Sequence, residues 1–197
     1  MRYLLVLAAL SMRLLAGVLQ PGADGSVPVC LDATPDTFAI ERATSIAGKI
    51  FADAGVRLLW YSRHRCPPHG ALVEFSTNTP SKKLPGALAY SMPYEGTHIE
   101  IFWDRTQRVT QPSAFVSVLA HVLAHEIAHL IEGTDRHSSE GIMKARWDEP
   151  DCRKMRLGTL AFTDFDLFML HRGLGLWGRT PVLQGVSRPA PLPLRIL

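Results

Sequence analysis

The sequence predicts an α+β domain: a mixed, twisted sheet of about five strands with one long helix and smaller flanking helices. Three observations lead there. Short β-rich runs come early in the chain, two longer stretches repeat apolar residues at helical spacing, and two links between strands look like hairpins. A length of 197 residues suits one such domain and hardly two.

Taken in order, Val27–Leu31 is a short apolar run and a first strand. Asp36–Ala54 carries Phe38, Ile40, Ala43, Ile46, Ala47, Ile50 and Phe51 at helical spacing and stops at Gly55. Val56–Tyr61 is β-rich. Ala71–Thr77 alternates, with Leu72 on one face and Val73 and Phe75 on the other. Ala87–Met92 and Thr97–Trp103 form two more strands, joined by the turn-forming stretch Pro93-Tyr94-Glu95-Gly96. Ser113–Glu132 is the strongest helix, with Phe115, Val118, Leu119, Val122, Leu123, Ile127, Leu130 and Ile131 on a broad apolar face and Gly133 as its stop. A last helix covers Thr163–Arg172: Thr163 caps it, Asp166 stands three residues on, and Gly173 follows. The stretch 179–197 has no period and four prolines, and reads as a flexible tail.

Apolar residues make up 47% of the chain and charged ones 20%, a globular composition. The net charge of +3 comes from the ends. Five of the 21 Lys+Arg (Arg2, Arg13, Arg179, Arg188, Arg195) and one of the 18 Asp+Glu (Asp24) lie outside residues 26–178, which leaves 16 against 17 in the body. A basic face for nucleic acid is not expected. Residues 1–25 read as a signal peptide: Arg2, the apolar runs Leu4–Leu10 and Leu14–Leu19, then small residues around Ala23-Asp24-Gly25. Neither run is long enough to span a bilayer, so the mature chain is expected to carry no membrane span and to be secreted or periplasmic. Cys30, Cys66 and Cys152 permit three single pairings. The favoured one is Cys30–Cys66, which ties the first strand to the turn at Pro67-Pro68.

The chemistry is concentrated in His125-Glu126-Ile127-Ala128-His129, inside the longest helix. Residues four apart lie one above the other on a helix face, so both imidazoles can reach one metal ion. Glu126, one position on, can approach a water at that ion without itself becoming a ligand. Neutral imidazoles holding Zn²⁺, with a carboxylate base beside them, are what a zinc hydrolase needs. Chance would produce this pattern in only about 1% of chains with this His and Glu content. A catalytic zinc ordinarily has three protein ligands. Beyond the Gly133 turn, His137 is the candidate third ligand, with Asp135 the runner-up and Glu132 and Glu140 behind it.

These residues resemble the metzincin clan of zinc metallopeptidases, whose signature is an HExxH helix, a glycine turn, a third His and a later Met-turn. His125, Glu126 and His129 match the helix, Gly133 the turn, His137 the third ligand, and Gly141-Ile142-Met143 the Met-turn. Gly86–Tyr90 and His98–Trp103 look like the substrate-edge strand and its neighbour. The likeness covers roughly residues 86–147. Metzincins place the glycine three residues after the second His and the third ligand three further on; this chain uses four and four. The resemblance therefore implies a compact, divergent, bacterial-type relative with a zincin-like fold and Zn²⁺ as cofactor. It implies a metallopeptidase acting on a peptide or protein substrate, with Glu126 as general base and His125, His129 and His137 on the metal. An extended peptide is expected to add to the sheet edge at residues 87–92. Two other readings are a catalytically inactive exported zinc-binding interaction domain and a zinc amidase acting on cell-wall peptides.

Among the remaining candidates, His121 lies four before His125, but Val122 stands where a base would be needed, so it reads as a core or supporting histidine. His64, His69, His98 and His171 read as surface or packing residues, Trp147 as core, and Tyr90 as a candidate groove residue.

Overall fold

The computed structural model describes residues 25–32, 34–94 and 97–177 and the strand 194–196. The signal-peptide reading falls on residues outside these, as does most of the tail. The chain runs β1 (Ser26–Leu31), α1 (Thr37–Asp53), β2 (Arg57–Ser62), a 3-10 turn (Arg63–Arg65), β3 (Ala71–Ser76), β4 (Ala87–Ser91) and β5 (His98–Phe102). It continues through α2 (Trp103–Val109), α3 (Phe115–Glu132), β6 (Arg146–Trp147), α4 (Glu149–Leu157), α5 (Asp164–Leu174) and β7 (Leu194–Ile196). This is the expected α+β class: a mixed sheet of five main strands, β1 to β5, extended by the short β7 and β6.

The order across the sheet is β2-β1-β3-β5-β4-β7-β6. β1 pairs in parallel with β2 and β3, and β3 in parallel with β5, while β4 runs antiparallel to β5. β1 reads as an apolar run, while β3 alternates, with Ala71 and Val73 buried and Leu72 and Glu74 half-buried. Val27, Val29, Val73, Ile99 and Ile101 are fully buried against α1 and α3. In α1 the inward face is Ala39, Ile40, Ala43, Thr44, Ala47, Ile50 and Phe51, and the Asp36 carboxylate caps it by accepting from the Ala39 N–H at 3.0 Å. Phe38, counted on the apolar stripe, instead lies 67% exposed with Arg42 over its ring. α3 is buried from Val118 through Glu132. It is long and apolar enough to cross a membrane, but here it is the core helix, with 89% of its length buried.

Two helices lie where the sequence reading had none. α2 begins directly from β5 without a side-chain cap, and its buried residues are Trp103, Arg105 and Thr106, too few to show a helical stripe. α4 buries only Asp151 and Met155, too few for a readable period. Its signal was a cap rather than a stripe: Asp148 and Asp151 form a reciprocal capping box with Pro150 between them. Gly173 also departs from expectation. It does not end α5 but sits within it, where a Cβ would overlap the Ile131 carbonyl. It is the glycine that lets α5 lie directly on α3.

The disulfide is Cys30–Cys66, with Cα atoms 5.5 Å apart, and Cys152 is a free thiol. Gly70 packs on it: a Cβ there would come within 2.7 Å of Cys66 Sγ and 2.8 Å of Cys30 Sγ.

β7 is the other departure. The stretch read as a tail contributes a strand that pairs antiparallel with β4 and parallel with β6. The outer side of β4, expected to be a free edge, is covered by the chain's own C-terminal strand.

Candidate metal centre

His125, Glu126 and His129 project from the buried face of α3. The helix ends at Gly133, whose left-handed φ of 66° turns the chain back beneath it. The Gly133 and Thr134 N–H groups both bond the His129 carbonyl, at 3.0 and 3.3 Å. The returning loop brings His137 against the other two imidazoles. Ring centroids are 4.6 Å apart for His125 and His129, 5.2 Å for His125 and His137, and 4.9 Å for His129 and His137. One nitrogen from each ring lies within 4.8 Å of the others, and the three histidines form the only such metal-binding group among the described residues.

The hydrogen bonds behind the rings determine what the inward nitrogens can do. His125 Nδ1 is 2.8 Å from the Ile142 carbonyl and His129 Nδ1 is 2.9 Å from the Thr134 carbonyl. A carbonyl only accepts, so each Nδ1 carries the proton and donates it. Burial pushes the His125 pKa well below its ordinary value and that of His129 down to about 3, and both rings are neutral near pH 7. Their Nε2 atoms therefore present lone pairs to one another at 2.9 Å. No proton lies between them, and the approach is favourable only with a cation to share. Two nitrogens at about 2.0–2.1 Å from a tetrahedral zinc stand roughly 3.3 Å apart, close to the spacing here. His137 Nε2 is buried with no hydrogen-bond partner among the described residues. Two unprotonated Nε2 atoms whose tautomers are fixed by carbonyls, with a third imidazole nitrogen within 4.8 Å of them, fit a divalent metal.

Glu126 is 2% exposed. Burial pushes its carboxyl up to about 7, against a hydrogen bond from the Ser91 side chain at the end of β4. Asp135, the runner-up ligand, is occupied elsewhere: its Oδ1 accepts from the Tyr94 hydroxyl at 2.9 Å and its N–H donates to the same oxygen at 3.3 Å. Glu132 faces Arg136 at 3.4 Å, and Glu140 is exposed.

The extra loop residues have their own anchor, which sequence reasoning missed. Arg136 Nη2 and Ser138 Oγ each donate to Asp166 Oδ1 at 2.6 Å, while Asp166 Oδ2 accepts from the Thr163 N–H at 2.9 Å. Burial raises the Asp166 carboxyl, but these bonds outweigh it and hold the carboxyl below the usual range. The α5 capping box announced Asp166 as a helix cap; nothing in the spacing announced that it also clamps both neighbours of His137. On the other side, Met143 is fully buried, and its carbonyl accepts from the Ser138 N–H at 2.8 Å. Gly141, at φ 72°, has no room for a Cβ beside the Ala161 carbonyl. His121 is a core residue, its Nδ1 donating to the Ser117 carbonyl at 2.7 Å and its Nε2 accepting from the Leu160 N–H at 3.0 Å.

No family model matches the chain, and no curated protein matches it in sequence. Among solved structures it is similar to archaemetzincin from Methanopyrus kandleri, with a TM-score of 0.58 and 10% identity over 80% of this chain and 99% of that one. It is also similar to a zinc-dependent peptidase from Methanocorpusculum labreanum (strain Z), with a TM-score of 0.50 and 12% identity over 73% of this chain and 99% of that one. The chain shares their fold. The zincin-like architecture implied by the HExxH helix and its turn is therefore observed. Nearly the whole of each of these proteins is spanned, so the surplus length lies in this chain.

Proposed function

We propose that this protein is a zinc-dependent metallopeptidase of metzincin-like type. The observation that carries the reading is the pair of unprotonated His125 and His129 Nε2 atoms facing each other at 2.9 Å, with buried His137 Nε2 beside them and Glu126 next in sequence. His125, His129 and His137 would hold Zn²⁺, which when bound supplies the Lewis acidity that polarises a peptide carbonyl and acidifies water. Glu126 takes a proton from the attacking water and delivers it to the leaving amine. A carboxylate used in both directions needs a pKa near the working pH; burial pushes it up, while the Ser91 hydrogen bond and a nearby cation pull it down. The Ile142 and Thr134 carbonyls keep the ligand rings in one tautomer and one orientation.

The buried carboxylate beside the ligands favours an enzyme over a non-catalytic zinc module. The deciding experiment replaces Glu126 with Ala and measures zinc content and hydrolysis of a peptide library together. Zinc content is expected to stay near that of the parent while hydrolysis falls at least about a hundredfold. Unchanged hydrolysis removes the mechanism, and loss of zinc makes Glu126 a structural residue. A library cleaved only in cell-wall peptides would move the assignment to an amidase.

We also propose that the protein works outside the cytosol, secreted or periplasmic. The Cys30–Cys66 disulfide supports an oxidising compartment. Mass spectrometry of native material is expected to show a chain beginning near Ser26; an intact Met1 would overturn this.

A further inference from the structure

β7 occupies a slot framed by two elements of the metal centre. On one side is β4, paired through Ala87 with Arg195 and Ala89 with Leu194, antiparallel and with a register shift. On the other is β6, paired through Arg146 with Arg195 and Trp147 with Ile196, in parallel. Ser91 at the end of β4 bonds the Glu126 carboxyl, and the Trp147 ring of β6 packs edge-on against His125 at 5.7 Å. β4 and β6 meet only through β7 in the sheet order. Because β7 is antiparallel to β4, its N-terminal end points toward Ser91 and hence toward Glu126.

The hold on β7 is main-chain pairing, which any extended peptide of the same direction can reproduce. It is also short. Pro189, Pro191 and Pro193, which precede it in sequence, have no N–H to donate. A three-residue strand persists there because its tether to α5 keeps its local concentration high.

We propose that Leu194–Ile196 is a built-in competitor: the C-terminal strand fills the slot between β4 and β6 that an extended peptide substrate must enter, and substrate binds by displacing it. The proposal rests on the metallopeptidase reading for the identity of the displacing peptide. It makes the protein self-restrained, with full access gained when the C-terminus is displaced or removed.

The test uses a fluorescent peptide of residues 189–197 as probe, with the full zinc-loaded chain and the full chain carrying Arg195→Pro and Ile196→Pro. The substitutions remove β7 backbone donors and leave every metal-centre residue in place. The variant is expected to bind the probe at least about tenfold tighter than the parent and to hydrolyse a library peptide with a correspondingly lower KM at unchanged kcat. Equal probe binding overturns the proposal while leaving hydrolysis, and so the enzyme assignment, intact. A probe-binding difference without hydrolysis in either chain keeps the competing strand and overturns the peptidase reading. Should the variant fold poorly, hydrogen exchange on the parent decides: amides of 194–196 are expected to exchange faster when excess library peptide is added, and unchanged exchange rejects displacement.

Discussion

Asp166 and Arg136, thirty residues apart in sequence, are joined by a 2.6 Å ion pair that holds the loop on which His137 lies. The Asp166 side chain is fully buried and that of Arg136 is three-quarters covered, so the pair is screened far less than a surface bridge. Because Ser138 bonds the same oxygen, both neighbours of the third imidazole are fixed to α5. Asp166→Ala is expected to weaken zinc binding by about 10- to 100-fold, the usual scale for losing a partner behind a ligand. A zinc competition titration read beside the melting temperature checks it. Equal zinc affinity in a destabilised protein would reduce Asp166 to a helix cap.

His137 and Asp135 separate cleanly. His137 offers a ring nitrogen within 4.8 Å of those of His125 and His129, and its buried Nε2 has no hydrogen-bond partner among the described residues, whereas Asp135 is bonded by Tyr94. His137→Ala should lower zinc affinity at least about a hundredfold and abolish hydrolysis, and Asp135→Ala should leave zinc content near that of the parent. Zinc stoichiometry of the two variants is the measurement. The reverse pattern would move the site to His125, His129 and Asp135.

His121 makes stability depend on acid. Burial pushes its pKa down to about 4, against the bond its ring donates to the Ser117 carbonyl, which raises it. The unfolded chain binds the proton near pH 6.5 and the folded one only near 4, so acidification between these values favours unfolding. The loss is roughly 3 kcal/mol across that window. Urea titrations at a series of pH values should show His121→Gln with a shallower fall over the same range. An identical slope in parent and variant would show that His121 does not titrate as its burial demands.

The Cys30–Cys66 link closes a loop of sequence separation 36. The chain-entropy estimate for a loop of that size is about 4 kcal/mol. Cys30→Ala with Cys66→Ala should shift the urea midpoint by an amount equivalent to about 2–4 kcal/mol, with Gly70 left beside a small cavity. A negligible shift would mean that the bond only records the compartment.

The strongly patterned elements were legible because one physical signal dominated each. α1 and α3 have buried faces on a helical repeat, β1 is an apolar run, β3 alternates, and Thr163 with Asp166 marked the start of α5. Elements with weak periodicity escaped. α4 buries two residues, β6 is two residues long, and β7 follows a run of prolines. Gly173 was misread for a related reason: a glycine after an apolar helix looks like a stop, and only the close approach of the Ile131 backbone explains why it lies inside.

Local spacing on one helix was enough to place His125 and His129 together and Glu126 beside them, since a turn of 3.6 residues leaves no freedom in the matter. It also named His137, and kept Asp135 as the runner-up because a loop of that length reaches either way. Where the two side chains lie depends on contacts between distant segments: Tyr94 bonds Asp135, and Asp166 grips both neighbours of His137. Likewise the composition of the C-terminus reads as a flexible tail, and only pairing with β4 and β6 makes a strand of Leu194–Ile196. Periodicity is a property of one segment, while hydrogen-bond satisfaction is a property of whichever segments meet, and the meeting is decided by the fold.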